Sequence, residues 1–282
     1  MPELDLRPLS LGEILDRTFA LYRRNFLLFF GITALPQLLV LGFNLFQVLV
    51  TRRPGAPRVV SGSSIGLGII GALLGLFVYL VAYLFAHGGT VYAVSDLYLG
   101  RSTSIGASLR RMRGQAGSLL GVLILNGLVV VVGFICLIIP GAYMACRLIT
   151  CVPAALLENL GPRESLERSF ALTRDNTWRS FVIYLLYFSI FYAIFFLLAF
   201  PFFMAIAVAV STKNPGMVTL WTVLMQIGNS LAAILVAPVF TIASTVFYYD
   251  LRVRKEAFDL QIMMNPNEAA LPASTAFPSI LS

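Results

Sequence analysis

The sequence predicts an all-α membrane protein with six transmembrane helices, and three observations support that fold class. Mean hydropathy is +0.87, and 59% of the residues are hydrophobic while only 12% are charged. Soluble domains carry about 25% charged residues. The apolar residues fall in runs of about 20 or more, the length that a helix needs to cross a bilayer. Because those runs lack the alternation of a transmembrane β-barrel, helices are predicted instead.

The apolar runs place the six spans in order along the chain. Their approximate limits are 26–50, 65–96, 118–139, 141–158, 180–210 and 217–249. The second, fifth and sixth runs exceed the minimum length, so we expect those helices to tilt or to project beyond the bilayer. The third and fourth are separated by almost no linker at Pro140 and Gly141, which predicts a tight hairpin. A single re-entrant unit over 118–158 is the less favoured alternative.

The distribution of basic residues predicts the orientation. Most of the 20 arginines and lysines flank spans on one side, whereas Arg52, Arg53, Arg58 and Lys213 fall on the other. By the positive-inside rule we expect both termini in the cytoplasm. The first 25 residues lack the compact apolar core of a cleavable signal peptide. Basic residues beside spans attract anionic lipid headgroups, so the net charge of +7 does not indicate nucleic acid.

An eleven-residue segment occurs twice, each time before an apolar run. Residues 15–25 return as 166–176 with seven identities at a constant offset of 151, which predicts an internal structural repeat. Ser10 and Glu13 form a capping box before the first copy, and Pro162 suits the first turn of the second. Apolar residues follow helical spacing in both copies, which predicts amphipathic helices in the headgroup plane.

The repeated helices suggest how the chain is organised and where it meets lipid. A weaker third copy over Ser104–Ser118 gives three units of one interfacial helix plus two spans, at about 9–100, 101–160 and 161–258. All three belong to one membrane domain, 1–260, and residues 261–282 read as an extended or disordered tail. The basic residues expected to contact lipid headgroups are Arg17, Arg23, Arg24, Arg168 and Arg174.

Arg147 is the most conspicuous single residue because it lies within an apolar span, where an arginine costs about 2.5–3.5 kcal/mol on insertion scales. It could line a cavity and bind a carboxylate, a phosphate or carbonyl groups. The more ordinary interpretation is snorkelling or a structural ion pair with Asp96 or Asp250. The sequence favours the structural interpretation.

His87 is the only histidine. It has no neighbouring cysteine or carboxylate that would make a metal site, so close packing beside Gly88 and Gly89 is favoured over a proton relay. Cys136, Cys146 and Cys151 match no metal motif. We therefore expect no metal and no cofactor.

Four glycines predict a helix-packing face. Gly62 and Gly66 form one small-xxx-small pair, and Gly71 and Gly75 form another. Such spacing lets helices approach closely, either within the protein or against another subunit.

Several stretches resemble the bacterial membrane domain found with some glycerophosphodiester phosphodiesterases. The residues that carry the resemblance are Leu6–Asp16 with Leu21–Phe26, Pro153–Glu158, Leu172–Arg174 and Tyr248–Arg254. The resemblance implies a membrane module without the catalytic barrel, because that barrel depends on histidines and metal-binding carboxylates that this chain lacks. It implies no chemistry of its own.

The sequence and the resemblance therefore favour a non-catalytic multi-pass protein of the bacterial inner membrane that acts as a scaffold or accessory subunit. It is expected to contact lipid headgroups and to bind either a membrane-protein partner or a second copy of itself. The first alternative is a transporter or lipid-handling protein with a cavity near Arg147. A membrane-bound lipid phosphodiester hydrolase is a weaker alternative, since the chain has no nucleophile–base constellation and no phosphate-binding loop.

Overall fold

The computed structural model describes residues 7–51 and 62–256. Within them it contains ten helices and no strand: α1 Leu11–Arg24, α2 Phe26–Thr51, α3 Gly62–Tyr98, α4 Ile105–Arg113, α5 Ala116–Cys136, α6 Ile138–Arg147, α7 Cys151–Leu157, α8 Pro162–Thr173, α9 Thr177–Ser211 and α10 Pro215–Glu256. The predicted tail over 261–282 lies outside the described residues. The predicted all-α fold is confirmed.

Six segments are long and apolar enough to cross a membrane, as the sequence predicts. They are Phe26–Val48, Gly68–Tyr98, Ala116–Cys136, Ile138–Leu157, Thr177–Ser211 and Pro215–Glu256. The fourth is not one continuous helix, because the chain leaves helical geometry after Arg147 and resumes it at Cys151. At 1.5 Å per residue, α6 alone is about 15 Å long, half the thickness of the hydrocarbon core.

The third and fourth spans form the expected tight hairpin. Leu137 alone separates α5 from α6, and its extended backbone reverses the chain. The two helices then approach closely at Gly133 and Gly141, where a Cβ built on Gly133 would lie 3.0 Å from the Cα of Gly141. Larger residues at this crossing would push the helices apart.

The short helices begin as the sequence predicts. Ser10 caps α1 by accepting from the amide of Glu13, whose carboxylate accepts in return from the Ser10 amide at 2.6 Å. At α8, Glu164 accepts from the Gly161 amide at 3.1 Å; glycine has no side chain, so only that half of the box is present. Ser104 caps α4, the helix of the weaker third copy, by accepting from the Ala107 amide.

The three amphipathic helices, α1, α4 and α8, are called the short helices here, and they pack in a cyclic order. α4 packs against α3, α8 against α7, and α1 against α10. The helix that follows each of them makes a matching contact, since α5 packs on α3, α9 on α6 and α2 on α10. Each short helix and the membrane helix after it therefore pack against the second half of a membrane hairpin that belongs to another unit.

α1 packs along the C-terminal half of α10. Its apolar face covers the protein, with Ile14 and Thr18 buried. Leu9, just before α1, bonds Asp250 of α10, while the Tyr22 hydroxyl donates to the carbonyl of Leu235 at 2.9 Å. Because residues 235 to 250 cover about four turns, α1 runs lengthwise and antiparallel along α10. The apolar face of α1 is thus covered by protein, and its predicted position in the headgroup plane stays a prediction.

The six-span arrangement predicts which cysteine can be labelled from outside the cell. Cys136 is exposed beside the α5–α6 turn, whereas Cys146 and Cys151 are buried. A membrane-impermeant maleimide added to intact spheroplasts should label Cys136, with Cys136→Ser as the unlabelled control. Labelling only in inside-out vesicles would contradict two full spans and indicate the re-entrant alternative.

Candidate functional site

The fold gathers its charged residues where the short helices meet the C-terminal half of α10. Asp250 is the centre of this region, and its carboxylate is fully buried. It accepts from the Leu9 amide at 2.6 Å and from Arg179 of α9 at 2.7 Å. Arg254 also donates to it, at 3.1 Å. Three donors therefore satisfy a charge that would otherwise be costly to bury.

The same two arginines also hold the carbonyl of Leu9. Arg179 donates to it at 2.7 Å, and Arg254 donates to it as well. Both backbone groups of Leu9 are thus bonded to a cluster of one carboxylate and two guanidinium groups. We call Leu9, Arg179, Asp250 and Arg254 the Leu9 clamp. It joins the start of α1 to α9 and α10.

A second charged cluster holds α8 in place. Arg168 donates to Glu158 at 2.7 Å and also pairs with Glu256 of α10. Tyr248 donates to Glu158 at 2.7 Å, and Arg252 pairs with Glu256 at 3.1 Å. Two carboxylates and two guanidinium groups balance in charge.

The charge state of Arg168 follows from these partners. Burial alone would lower the pKa of Arg168, but the hydrogen bonds and charges of Glu256 and Glu158 outweigh it and raise that pKa above its ordinary value. The guanidinium therefore stays protonated, as a structural ion pair requires.

Arg147 contacts the end of α8, and neither predicted partner, Asp96 nor Asp250, reaches it. Its Nη2 donates to the carbonyl of Phe170 at 2.8 Å. Its own carbonyl accepts from the hydroxyls of Ser169 and Thr173. Asp96 instead lies 3.6 Å from Arg111 of α4.

His87 lies in the interior between α3 and α10. It is buried, its Nδ1 is 2.8 Å from the Thr241 hydroxyl, and its ring stacks on Tyr83. Two turns further along, Ser95 hydrogen-bonds Tyr249 in the same way. These contacts agree with the packing role favoured for His87.

The five arginines predicted to contact lipid have different surroundings. Arg23, Arg24 and Arg174 are exposed. Arg17 donates to the hydroxyl of Tyr98 at 3.3 Å, and Arg168 is enclosed by the two carboxylates described above. Arg17, Arg111 and Arg168 each occupy the seventh position of their short helix, and each reaches a membrane helix or its end.

The glycine face divides into two parts. Cβ atoms built on Gly71 and Gly75 would contact Gln47 and Phe43 of α2, at 3.1 and 3.0 Å, while one built on Gly66 would meet none of the described residues within 4 Å. Gly71 and Gly75 thus pack inside the fold, whereas Gly66 leaves its side of α3 open. Gly62 begins α3.

The described residues hold no group of three potential metal ligands. A cavity of about 10 Å³, the size of one water molecule, lies between α1, α9 and α10. Its lining is mostly apolar and includes Leu15, Phe19, Ile183, Tyr187 and Phe240. Neither Arg147 nor His87 belongs to it.

Residues 119–276 match the sequence family described as the membrane domain of glycerophosphoryl diester phosphodiesterase. The chain belongs to this family. No curated protein and no solved structure gives a significant match. In this member of the family, the matched region includes α5 to α10 and therefore Asp250, Arg179, Arg254 and the Arg168 cluster. The resemblance of the segment before residue 119 stays a prediction.

Sequence reasoning missed several residues that build these clusters. Arg179, Arg254, Glu158 and Glu256 are not among the candidate residues that the sequence predicts. A signal was present in the four-residue spacing from Asp250 to Arg254 and from Arg252 to Glu256, which places each pair on one helix face. Nothing in the sequence links Leu9 with Asp250, since 241 residues separate them.

Replacing Arg168 with glutamine should destabilise the protein by about 3 kcal/mol, because Glu158 and Glu256 would lose their shared cation in a partly buried site. Thermal unfolding in detergent measures the effect. Arg163→Gln is the matched control, since that exposed arginine lies on the same helix and its surface ion pair contributes less than about 1 kcal/mol. Equal losses of stability in the two variants would show that the Arg168 cluster stabilises the protein no more than a surface ion pair does.

The α1 capping box predicts a dependence on acidic pH. The Ser10 amide, the Ser10 hydroxyl and Arg7 lower the pKa of Glu13 from 4.5 to about 2. A lowered pKa contributes stability above pH 4.5 that is lost as the pH falls toward 2. The difference in melting temperature between wild type and Glu13→Gln should shrink across that window. A difference that stays constant from pH 6 to pH 2, two values chosen to bracket the window, would contradict this assignment.

Proposed function

We propose that this protein is a non-catalytic scaffold or accessory subunit of a complex in the bacterial cytoplasmic membrane, with both termini in the cytoplasm and lipid-headgroup contacts there. The observation that carries the proposal is the use made of its charged residues. Asp250 is occupied by backbone and arginine donors, and Glu158 by Tyr248 and Arg168. Groups engaged in this way hold helices together and are poorly placed to transfer protons to a substrate.

The cyclic packing supports a build from three repeated units. α1, α4 and α8 take equivalent places, and each buries residues at its fourth and eighth positions: Ile14 and Thr18, Ser108 and Met112, Ser165 and Ser169. The eleven-residue repeat covers two of these helices. Such an architecture is well suited to a rigid platform, because each unit is fixed by its neighbour.

A transporter is less well supported than a scaffold. Transport requires a polar, water-filled path near the middle of the membrane. Arg147 instead donates to the end of α8, and His87 is packed between Tyr83 and Thr241. The cavity beside α1 is lined mostly by apolar side chains.

The family description suggests the kind of partner to look for. It joins this type of membrane domain to a phosphodiesterase, so a catalytic protein is the natural candidate for the other subunit. The open side of α3 around Gly66 offers a surface on which a partner's membrane helix could pack closely.

Affinity purification of the tagged protein from cross-linked native membranes tests the proposal. We expect one partner protein to be recovered at a fixed ratio after gentle detergent extraction. Gly66→Leu should reduce that recovery without unfolding the chain, because a Cβ at this position would meet none of the described residues within 4 Å. Gly42→Leu is the control, an equally open glycine on α2.

Two outcomes would contradict the proposal. Recovery of a lone monomer from cross-linked membranes would argue against an accessory subunit. Uptake of a solute by proteoliposomes containing only this protein would favour the transporter.

A further inference from the structure

Three cations surround the C-terminal end of α8. Arg147 donates to the carbonyl of Phe170. Lys255 of α10 donates to the carbonyls of Ala171 and Arg174, at 3.0 and 2.8 Å. Arg174 itself ends the helix, and its side chain is exposed. The carbonyls that Arg147 and Lys255 contact, and Arg174 itself, lie within about one turn of the helix end.

These charges are not balanced by acidic side chains. Within the part of the chain that the structure describes, neither Arg147, Arg174 nor Lys255 forms an ion pair, in contrast to the Arg168 cluster at the middle of the same helix. Asp175 follows Arg174 but points to no cation at ion-pair distance. The helix C-terminus supplies only about half a negative charge. A net positive charge therefore remains at this site.

Arg147 has unused hydrogen-bonding capacity as well. A guanidinium group carries five N–H donors. The structure shows one hydrogen bond from Arg147, through Nη2, and its Nε is buried without a partner. Because buried donors usually have acceptors, a ligand oxygen would be expected to accept from the N–H groups of Arg147 that the protein does not engage.

The aromatic side chains near this cluster favour a position at the level of the lipid headgroups. The rings of Tyr143 and Phe170 flank the Arg147 guanidinium at 5.9 and 5.3 Å. Trp178, at the start of α9, is 71% exposed and stacks on Phe181. Tryptophan and tyrosine concentrate at the level of lipid headgroups, so the cations face that level rather than open cytoplasm.

We infer that Arg147, Arg174 and Lys255 form a binding site for the phosphate group of an anionic phospholipid. The inference rests on the headgroup contacts of the proposed function and gives them a specific location. Arginine suits this ligand because its planar N–H groups match the phosphate oxygens. The neighbouring aromatic rings would contact the glycerol and the upper acyl chains, which free phosphate lacks.

Native mass spectrometry of the detergent-solubilised protein with added phosphatidylglycerol or phosphatidylcholine tests the inference. We expect selective retention of phosphatidylglycerol. Arg174→Gln should weaken that retention about fivefold, as expected for one basic residue near an anionic surface, and Arg147→Gln with Arg174→Gln should abolish the selectivity. Arg163→Gln removes the same charge from the first turn of α8 and should change nothing.

The controls separate the possible failures. Arg174→Gln removes an exposed side chain that forms no hydrogen bond or ion pair with the other described residues, so it remains informative if the double variant does not fold. Displacement of the lipid by millimolar inorganic phosphate would indicate a free-anion site and overturn the inference. Equal weakening by Arg163→Gln would overturn it too, by showing only a general charge effect. Recovery of the partner protein is measured separately, so loss of lipid selectivity with the partner retained refutes this site alone.

Discussion

The structure depends on one buried carboxylate more than on any other group. Asp250 has no exposed surface, and its three donors come from the backbone before α1, from α9 and from α10 itself. Because Arg179 and Arg254 also bond the carbonyl of Leu9, the segment before α1 is bonded to both α9 and α10. Removing one partner from such a cluster leaves the others charged and buried, which is why a clamp of this kind specifies one arrangement.

The clamp explains how short amphipathic helices can build a defined assembly in a lipid environment. Apolar contact alone distinguishes poorly between a helix resting on lipid and one resting on protein, since lipid tails are as apolar as leucine. Polar groups make the distinction. The clamp holds α1 on α10, Glu158 and Glu256 hold Arg168 of α8, and Asp96 lies near Arg111 of α4. Each short helix is fixed by charge or by hydrogen bonds at the end of a hairpin, and the cyclic packing follows.

The membrane helices can be predicted from the sequence, whereas the charged clusters around Asp250 and Arg168 can hardly be predicted from it. Apolar runs placed all six spans, and the Ser10–Glu13 capping box and Pro162 placed the starts of α1 and α8, because these signals are local in the chain. The break after Arg147 was missed, since the residues around it are as apolar as a continuous span. The sequence also carries no indication of which residues Arg147, Asp96 and Asp250 each contact. A charged residue beside a span has the same sequence context whether it contacts lipid, water or a residue 241 positions away. The repeat was visible, but its arginine at the seventh helical position, expected to meet lipid, contacts protein in both copies, α1 and α8.

The central claim is that the buried charges serve structure, and a double-mutant cycle on Arg179 and Asp250 tests it most directly. The free energy of unfolding in detergent would be measured for Arg179→Gln, Asp250→Asn and the double variant. Residues that act in one ion-pair network show coupling energies of about 0.5–3 kcal/mol, and the buried geometry here predicts a value near the upper end. Effects that add within about 0.5 kcal/mol would show that the two residues act independently, and would contradict the account.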